Sequence, residues 1–562
     1  MKSMKFNKLS ELFSKLEKIS STNAIKKELA EFFRKTPKND IGKVCYFLMG
    51  SISSGCDDIV IGMADKMVIK SISLASNSPE TDVRITYKKM GDIGKTAEHF
   101  IGKKQEELTV QEVHEKLMKI ATSSGSGSQE KKVRTLADMF KNVSPLDSRY
   151  IARIVSGKLR LGIGDKLIMD GLALGIAKKK EARKDLEKAF MICPDIGLIA
   201  KTLLEKGLKG VKRINVVTGR PIQVMLAQRA KTFEEISKKM PGKKGVEEKY
   251  DGERIQVHVK KNKIILFSRR LENVTHQFPD VANALKKAVK QNCIIEGEVV
   301  PVDKNSKILP FQKLMSRRRK HKIEEYVKKI PVVLFLFDCL SSGNKTIMYK
   351  SYPERKKELK SLVKQNKTIK LANTIYTDDP KKIAAFFKQS IKDGLEGIML
   401  KSCSKDSIYQ AGTRGWLWIK WKKEYAKNIR DTFDVVVIGA YYGKGRRSGM
   451  YGALLCAVLN TKTNKFETVC KVGSGFTDKD LKELPKKLKK HETKDSKISI
   501  SKTLIPDVLF TPKVVIEVIA AEVTKSPIHS CGYALRFPRF VRFRDDKSAR
   551  QATTKKEILS FK

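Results

Sequence analysis

Lys249-Tyr250-Asp251-Gly252-Glu253-Arg254 runs into Ile255-Gln256-Val257-His258-Val259, and the second run alternates apolar and polar residues with the period of a half-buried strand. The lysine, preceded by Glu247 and Glu248, therefore stands at an element boundary, where reactive groups are commonly displayed. An amine attacks near neutral pH only when its ammonium form is disfavoured, by desolvation or by neighbouring cations such as Arg254. Asp251 can orient it or share in holding a metal. A K-x-D-G-x-R string arises by chance in roughly one chain in a hundred of this size and composition, so its meaning depends on what surrounds it.

Towards the C-terminus the candidate chemical residues form a series. Ser268-Arg269-Arg270 closes the next strand-like run; an arginine there meets a phosphate or carboxylate, or ends a solvated hairpin. Ile294-Ile295-Glu296-Gly297-Glu298-Val299-Val300 sets two acids inside an apolar run. Charges are rarely placed in a buried strand without a partner, so Glu298 reads as a metal or ribose contact. Phe335, Phe337 and Asp338 end the following apolar run, where an aromatic packs in the core or stacks on a base. Glu396 lies between Gly394 and Gly397 before another strand-like run, and Trp418-Ile419-Lys420-Trp421-Lys422 puts two lysines on one strand face. A nucleophilic lysine, acids for a divalent cation and lysines for phosphates, taken in order, compose a phosphoryl-transfer site.

At 562 residues the chain exceeds one hydrophobic core, and about three domains are expected. Lys plus Arg number 115 against 62 Asp plus Glu, a formal charge of +53. One sign dominates, which favours a polyanionic partner, most simply nucleic acid. The nine cysteines contain no C-x-x-C pair, which argues against a disulfide framework or a zinc module and suits a reducing interior. No apolar run reaches transmembrane length, and the basic N-terminus leads into an amphipathic pattern rather than a signal peptide. A soluble intracellular, cytoplasmic protein is expected.

Residues 1–214 read as mostly helical: Phe6, Leu9, Leu12, Phe13, Leu16 and Ile19 recur at helical spacing, and the pattern continues through 110–120 and 150–176. Ser123-Ser124-Gly125-Ser126-Gly127-Ser128 is a flexible loop joining two halves of that domain. Beyond Pro221, β-rich runs at 255–259, 264–268, 294–302 and 332–337 alternate with helical ones at 353–363 and 380–391, an α+β texture. From Phe433 the strands crowd together at 434–440, 452–460, 468–472 and 514–523, which predicts a small five-strand barrel.

With these motifs in this order, the chain resembles the ATP-dependent DNA ligases of archaeal and eukaryotic replicative type over nearly its full length. KYDGER at 249–254 resembles the adenylated-lysine motif. SRR at 268–270, EGEVV at 296–300, LFLFD at 334–338, EGIMLK at 396–401 and WIKWKKEY at 418–425 resemble the successive nucleotidyltransferase motifs. RFPRFVRFRDDK at 536–547 resembles the last motif, SGKLRLG at 156–162 a DNA-binding segment of the helical domain, and PFQKLMSR at 310–317 a further family string.

The resemblance implies an all-α DNA-binding domain at 1–214, an α+β nucleotidyltransferase (adenylation) domain at 215–426 and a β-barrel OB-fold domain at 427–562. It implies nick sealing in replication, repair and recombination, with ATP and Mg²⁺ as cofactors and nicked duplex DNA as the partner of a monomer. Lys249 would form lysyl-AMP. Glu247 would contact the adenine, Phe337 would stack on it, and Arg254, Arg269 and Glu298 would hold the ribose side. Glu298 and Glu396 would orient the metal, and Arg414, Lys420 and Lys422 would neutralise phosphate. Arg153, Lys158 and Arg160, with Arg536, Arg539, Arg544 and Lys547, would contact DNA, mainly at phosphates. Asp546 joins these last residues on a mobile barrel, with a hinge near 422–430. Some relatives dock a sliding clamp through an aromatic loop before Thr109; here KQEEL at 104–108 carries no aromatic pair, which leaves clamp binding at that place without support.

Two other classes share parts of this pattern. A capping guanylyltransferase uses the same lysine chemistry with GTP but lacks the helical domain and the RFPRF string, and a non-catalytic basic binder accounts for the charge alone. The zinc module of NAD-dependent ligases is absent.

Overall fold

The helical reading of the N-terminal part follows from where its apolar residues fall. Phe6, Leu9, Phe13 and Leu16 recur at i, i+3, i+7 and i+10 and are fully buried along helix Phe6–Glu17; Ile19 lies past its end. Among the residues that the computed structural model describes, every named element up to Ile196–Lys212 is a helix. The undescribed residues are 1–2, 58, 103–107, 160, 231, 316, 318–322, 344, 423–431, 444–449, 496–497, 521 and 561–562. Arg160, most of the expected hinge and most of the KQEEL segment lie outside the described residues.

The expected run at 150–176 is two helices, Pro145–Val155 and Asp165–Gly175. Between them Gly157 (φ +65°) and Gly162 (φ +69°) take left-handed backbone that no helix can contain. The Ser/Gly loop separates Val110–Thr122 from Ser128–Lys141, and Val113 and Val133 from those two helices enter one core. No helix among the described residues is long and apolar enough to cross a membrane.

The chain divides into two compact units, Met1–Lys422 and Lys423–Lys562. In the first, two sheets follow the helices. One has the order Leu226–Arg229, Arg414–Lys422, Gly397–Ser402, Lys244–Lys249, Thr374–Thr377. The other runs Lys263–Ser268, Glu253–Lys260, Cys293–Pro301, Val332–Ser342, Lys345–Thr346, with Ile369–Leu371 added in parallel to Val332–Ser342. Each sheet covers a separate apolar layer: Val246, Ile398, Leu400 and Ile419 under the first, Ile255, Val257, Ile295 and Val299 under the second. Since side chains alternate along a strand, the residues between those core positions face the opposite way. The motif Lys249-Tyr250-Asp251-Gly252 is the turn by which the chain passes from one sheet to the other.

In the second unit, Thr432–Tyr442, Tyr451–Asn460 and Lys465–Val472 pair in antiparallel order, and Thr432–Tyr442 also pairs with Val508–Phe510 and with Val515–Ile519, which continues to Arg539–Phe543. The strand-rich domain is OB-like, but among the described residues its ladders form an open sheet of seven strands rather than a closed five-strand barrel. One backbone bond, Phe540 N–H to Ser474 O at 2.8 Å, brings the far strand back beside the end of Lys465–Val472. The chain turns away there at Gly475 (φ +97°), so no ladder forms. The single strand expected at 514–523 is two, Val515–Ile519 and Glu522–Lys525, in different sheets.

Candidate nucleotide-binding active site

The site is set by strand register. Glu247 lies opposite Met399, which lies opposite Lys420; Lys249 lies opposite Gly397, which lies opposite Lys422; Lys401 lies opposite Trp418. All of these point away from the core layer of Val246, Ile398 and Ile419. On the second sheet, Arg254 pairs with Glu298 and Gln256 with Glu296, again on the face away from Ile255 and Val257. The two faces enclose a cavity of about 410 Å³. Its lining includes Glu247, Lys249, Arg254, Arg269, Glu298, Phe337, Arg414 and Lys420. Strands distant in sequence thus bring eight of the expected residues to one place.

The remaining two adjoin Lys249. The Lys249 and Lys422 Nζ atoms each lie 2.7 Å from Glu396 Oε2. Desolvation pushes the Glu396 carboxyl up, but these two ammonium groups outweigh it and hold it well below the usual carboxylate range. Asp251 is raised, by desolvation first and then by Glu396. Glu298 is pushed up to about 7 by withdrawal from water, against the opposing pull of Lys249 and Arg254. Lys420 is lowered to about 8 by desolvation, with Arg229, Lys249, Lys422 and Arg414 adding repulsion. The wall is therefore a cluster of cations facing too few anions, an environment completed by a polyphosphate.

Among the described residues no three His, Cys, Asp or Glu side chains are grouped as a metal cage. Glu298 and Glu396 nevertheless offer hard oxygen donors beside the cations, and Mg²⁺ is typically held by one or two carboxylates together with substrate phosphates rather than by an all-protein cage. That donor set fits the ion.

Several participants carried no individual signal in the sequence. Arg254 is held by Glu296 Oε2 at 2.7 Å, by the Met225 carbonyl at 2.7 Å and by the Tyr409 hydroxyl at 3.3 Å. Burial would lower its pKa; the Glu296 carboxylate raises it instead. On the same strand face, Gln256 bonds both the N–H and the carbonyl of Ile222, and His258 Nδ1 accepts from Gly219 N–H. Residues 254, 256 and 258 thus strap the segment 219–225 along the sheet. Glu247 accepts from Tyr352 and Lys356 and pairs with Lys401. Desolvation opposes its charge, but the two lysines hold it down to about 2. Lys401 could have been found as the alternate neighbour of Met399 within EGIMLK; Lys356 lies on a helix far away in sequence.

The expected DNA contacts are less uniform. Arg153 is buried, pairing with Asp92 at 2.7 Å and with Glu17, and Lys158 pairs with Asp65 and Tyr87. In the second unit Arg544 bonds Asp434 and Asp546, and Lys547 bonds Asp434. Arg536 and Arg539 are exposed on Tyr533–Arg536 and Arg539–Phe543.

Three family descriptions match the chain in order: DNA ligase N terminus over residues 5–173, ATP dependent DNA ligase domain over 224–422 and ATP dependent DNA ligase C terminal region over 447–547. The chain is 40% identical to DNA ligase 1 of Methanosarcina mazei, with 100% of both chains covered. It is 43% identical to the DNA ligase of Staphylothermus marinus over 99% of this chain and 98% of that one. The solved structure named Pmar-Lig_Pre. shares the fold at a TM-score of 0.56 and 18% identity, covering 96% of this chain and 99% of that one.

Proposed function

The chain belongs to the ATP-dependent DNA ligases, and from that membership we propose that Lys249 carries AMP from ATP to the nick. The protein joins a 3′-hydroxyl to a 5′-phosphate in duplex DNA at the expense of ATP, a reaction of replication and repair. The observation that carries the assignment to Lys249 is its place at the sheet-to-sheet turn, with its amine on the cavity wall among Glu396, Lys420 and Lys422.

In the first step the ammonium loses its proton to solvent, and the amine attacks the α-phosphorus of ATP. An N–P bond forms and the bond to pyrophosphate breaks. In the second step an oxygen of the nick's 5′-phosphate takes the AMP from Lys249, forming a P–O–P link as the N–P bond breaks. In the third, the 3′-hydroxyl attacks the 5′-phosphorus, releasing AMP. Covalent catalysis divides one difficult condensation into three displacements. Arg414, Lys420 and Lys422 neutralise charge that builds on phosphate oxygens, and Arg254, Arg269 and Phe337 fix the nucleoside. Glu298 and Glu396 would hold Mg²⁺, which when bound supplies Lewis-acid polarisation of a phosphoryl oxygen.

The test is sealing of an end-labelled nicked duplex by wild type and Lys249→Ala. With ATP the variant should seal nothing. On a nick that already carries 5′-linked AMP it should seal, because the last step needs no lysine nucleophile. ATP-dependent sealing by Lys249→Ala at the wild-type rate would overturn the assignment.

A further inference from the structure

A nucleophile displaced by about 1 Å from its line of attack loses on the order of a hundredfold in rate. Lys249 ends in a flexible four-carbon stem, so its placement begins with the turn that carries it. On the backbone that turn is tied where Glu396 N–H donates to the Lys249 carbonyl at 3.2 Å. The next residue, Tyr250, is buried in an apolar layer with Val300, Ala372 and Leu395, against which Phe335 and Phe337 pack.

Tyr250 meets both sheets. Its ring stacks on Phe335 of strand Val332–Ser342, with centroids 4.0 Å apart and planes 12° from parallel. Its hydroxyl donates to Glu248 Oε2 at 2.6 Å, and Glu248 belongs to strand Lys244–Lys249 of the other sheet. Asn373 fixes Glu248 in turn: its Nδ2–H donates to Glu248 Oε1 at 2.9 Å, and its carbonyl accepts from Glu248 N–H at 3.3 Å. Asn373 N–H also reaches Tyr250 Oη at 3.4 Å. Asn373 directly precedes Thr374–Thr377, the strand that pairs with Lys244–Lys249. One partner satisfies a buried tyrosine hydroxyl. This one has two, and both are tied to the strand that ends at Lys249.

We propose that Tyr250, Glu248 and Asn373 form a brace that sets Lys249 for attack, with Tyr250 a positioning residue for the steps in which the lysine takes part and not for the last one. The inference rests on the reading of Lys249 as the nucleotide acceptor. Phenylalanine at this position keeps the stack on Phe335 and removes the bond to Glu248. The apolar layer then persists, while the turn loses its tie to the first sheet and Glu248 keeps Asn373 alone.

The experiment follows two reactions of the full-length protein: covalent transfer of AMP from labelled ATP, and sealing of a nick that already carries 5′-linked AMP. Tyr250→Phe should lower the maximum rate of transfer by about tenfold and change KM for ATP by less than about twofold. It should seal the adenylated nick at the wild-type rate, a split that a general loss of structure does not produce. Glu248→Ala should behave alike, and the double variant should be no slower than the slower single one, because each change removes the same brace. Tyr250→Leu, which also loses the stack, should lower transfer by about a hundredfold. Glu248→Ala leaves Tyr250 whole and carries the test if Tyr250→Phe does not fold. Unchanged transfer in the folded variants, a loss carried by KM, or an equal loss in both reactions would overturn the proposal. A wild type that takes no label, or a Lys249→Ala variant that takes it, would instead overturn the reading of Lys249, and this inference with it.

Discussion

Raising the pH should weaken nucleotide binding through Lys420. Its pKa is lowered to about 8, by withdrawal from water first and then by repulsion from Arg229, Lys249, Lys422 and Arg414. Since the group is cationic when protonated, its charge is present below pH 8 and lost above it. About nine molecules in ten carry the charge at pH 7 and about one in eleven at pH 9. A triphosphate, mostly ionised at pH 7 and fully so above pH 8, prefers the charged form. Its dissociation constant should therefore be flat near neutrality and rise towards tenfold per pH unit above 8. The rise is bounded by the worth of one charge-assisted contact, roughly ten- to a hundredfold, and Lys420 is exposed enough that screening places it near the lower figure. The assay is calorimetric binding of α,β-methylene ATP, which cannot transfer AMP, at constant ionic strength from pH 7 to 9.5. Lys420→Arg keeps its charge throughout and should bind with no such rise. A flat wild-type curve through pH 9, or an equal rise in the arginine variant, would refute the reasoning.

Four further variants test the packing and the basic surface. Glu296→Ala leaves the Arg254 guanidinium buried without its carboxylate, and should cost about 3–5 kcal/mol in urea unfolding; a loss under about 1 kcal/mol would mean that Tyr409 and Met225 suffice to hold Arg254. At Gly252 an added Cβ would lie 2.3 Å from the Val299 carbonyl oxygen and 2.9 Å from Glu298 Cγ. Gly252→Ala should therefore destabilise by about 1–3 kcal/mol or more and abolish nucleotide transfer by displacing the turn that carries Lys249; wild-type transfer would contradict this. Arg153→Ala should lower stability by about 1–3 kcal/mol, because it removes a buried guanidinium shared by Glu17 and Asp92, which keep only Arg149, Tyr150 and the Gly94 and Lys95 N–H groups, and leave the salt dependence of DNA binding alone. Arg539→Ala should reduce that salt slope by about one and leave stability unchanged; the opposite pattern would return Arg153 to the DNA surface.

The order of the motifs was legible because KYDGER, SRR and EGIMLK lie where a strand begins or ends, and turn chemistry there is local; EGEVV and LFLFD lie within Cys293–Pro301 and Val332–Ser342 and were marked by acids in apolar runs. The strands of the second sheet were legible from their patterns: Ile255 and Val257 alternate with polar residues, and Ile295 and Val299 stand in an apolar run broken by Glu296 and Glu298. The first sheet was harder. Its strand Lys244–Lys249 reads Lys-Gly-Val-Glu-Glu-Lys, which resembles a solvated surface, yet Lys244 and Glu247 are buried. Charges buried in the fold look, in one dimension, like charges in water. The grouping around Glu247 was not legible, although Lys401 lies within EGIMLK, because its lysines stand 109 and 154 residues away, at Lys356 and Lys401. Arg153 meets a related difficulty: a basic residue beside a DNA-binding string reads as a contact, and its acid partners, Glu17 and Asp92, are too distant in sequence to be read beside it.

The most direct test of the account is to incubate the protein with Mg²⁺ and α-phosphate-labelled ATP without DNA, map the modified peptide, and then add nicked duplex. The account predicts one AMP on Lys249, absent from Lys249→Ala, and lost from the protein as the nick closes. Label on another residue, or label on Lys249 that nicked DNA does not discharge, would contradict it.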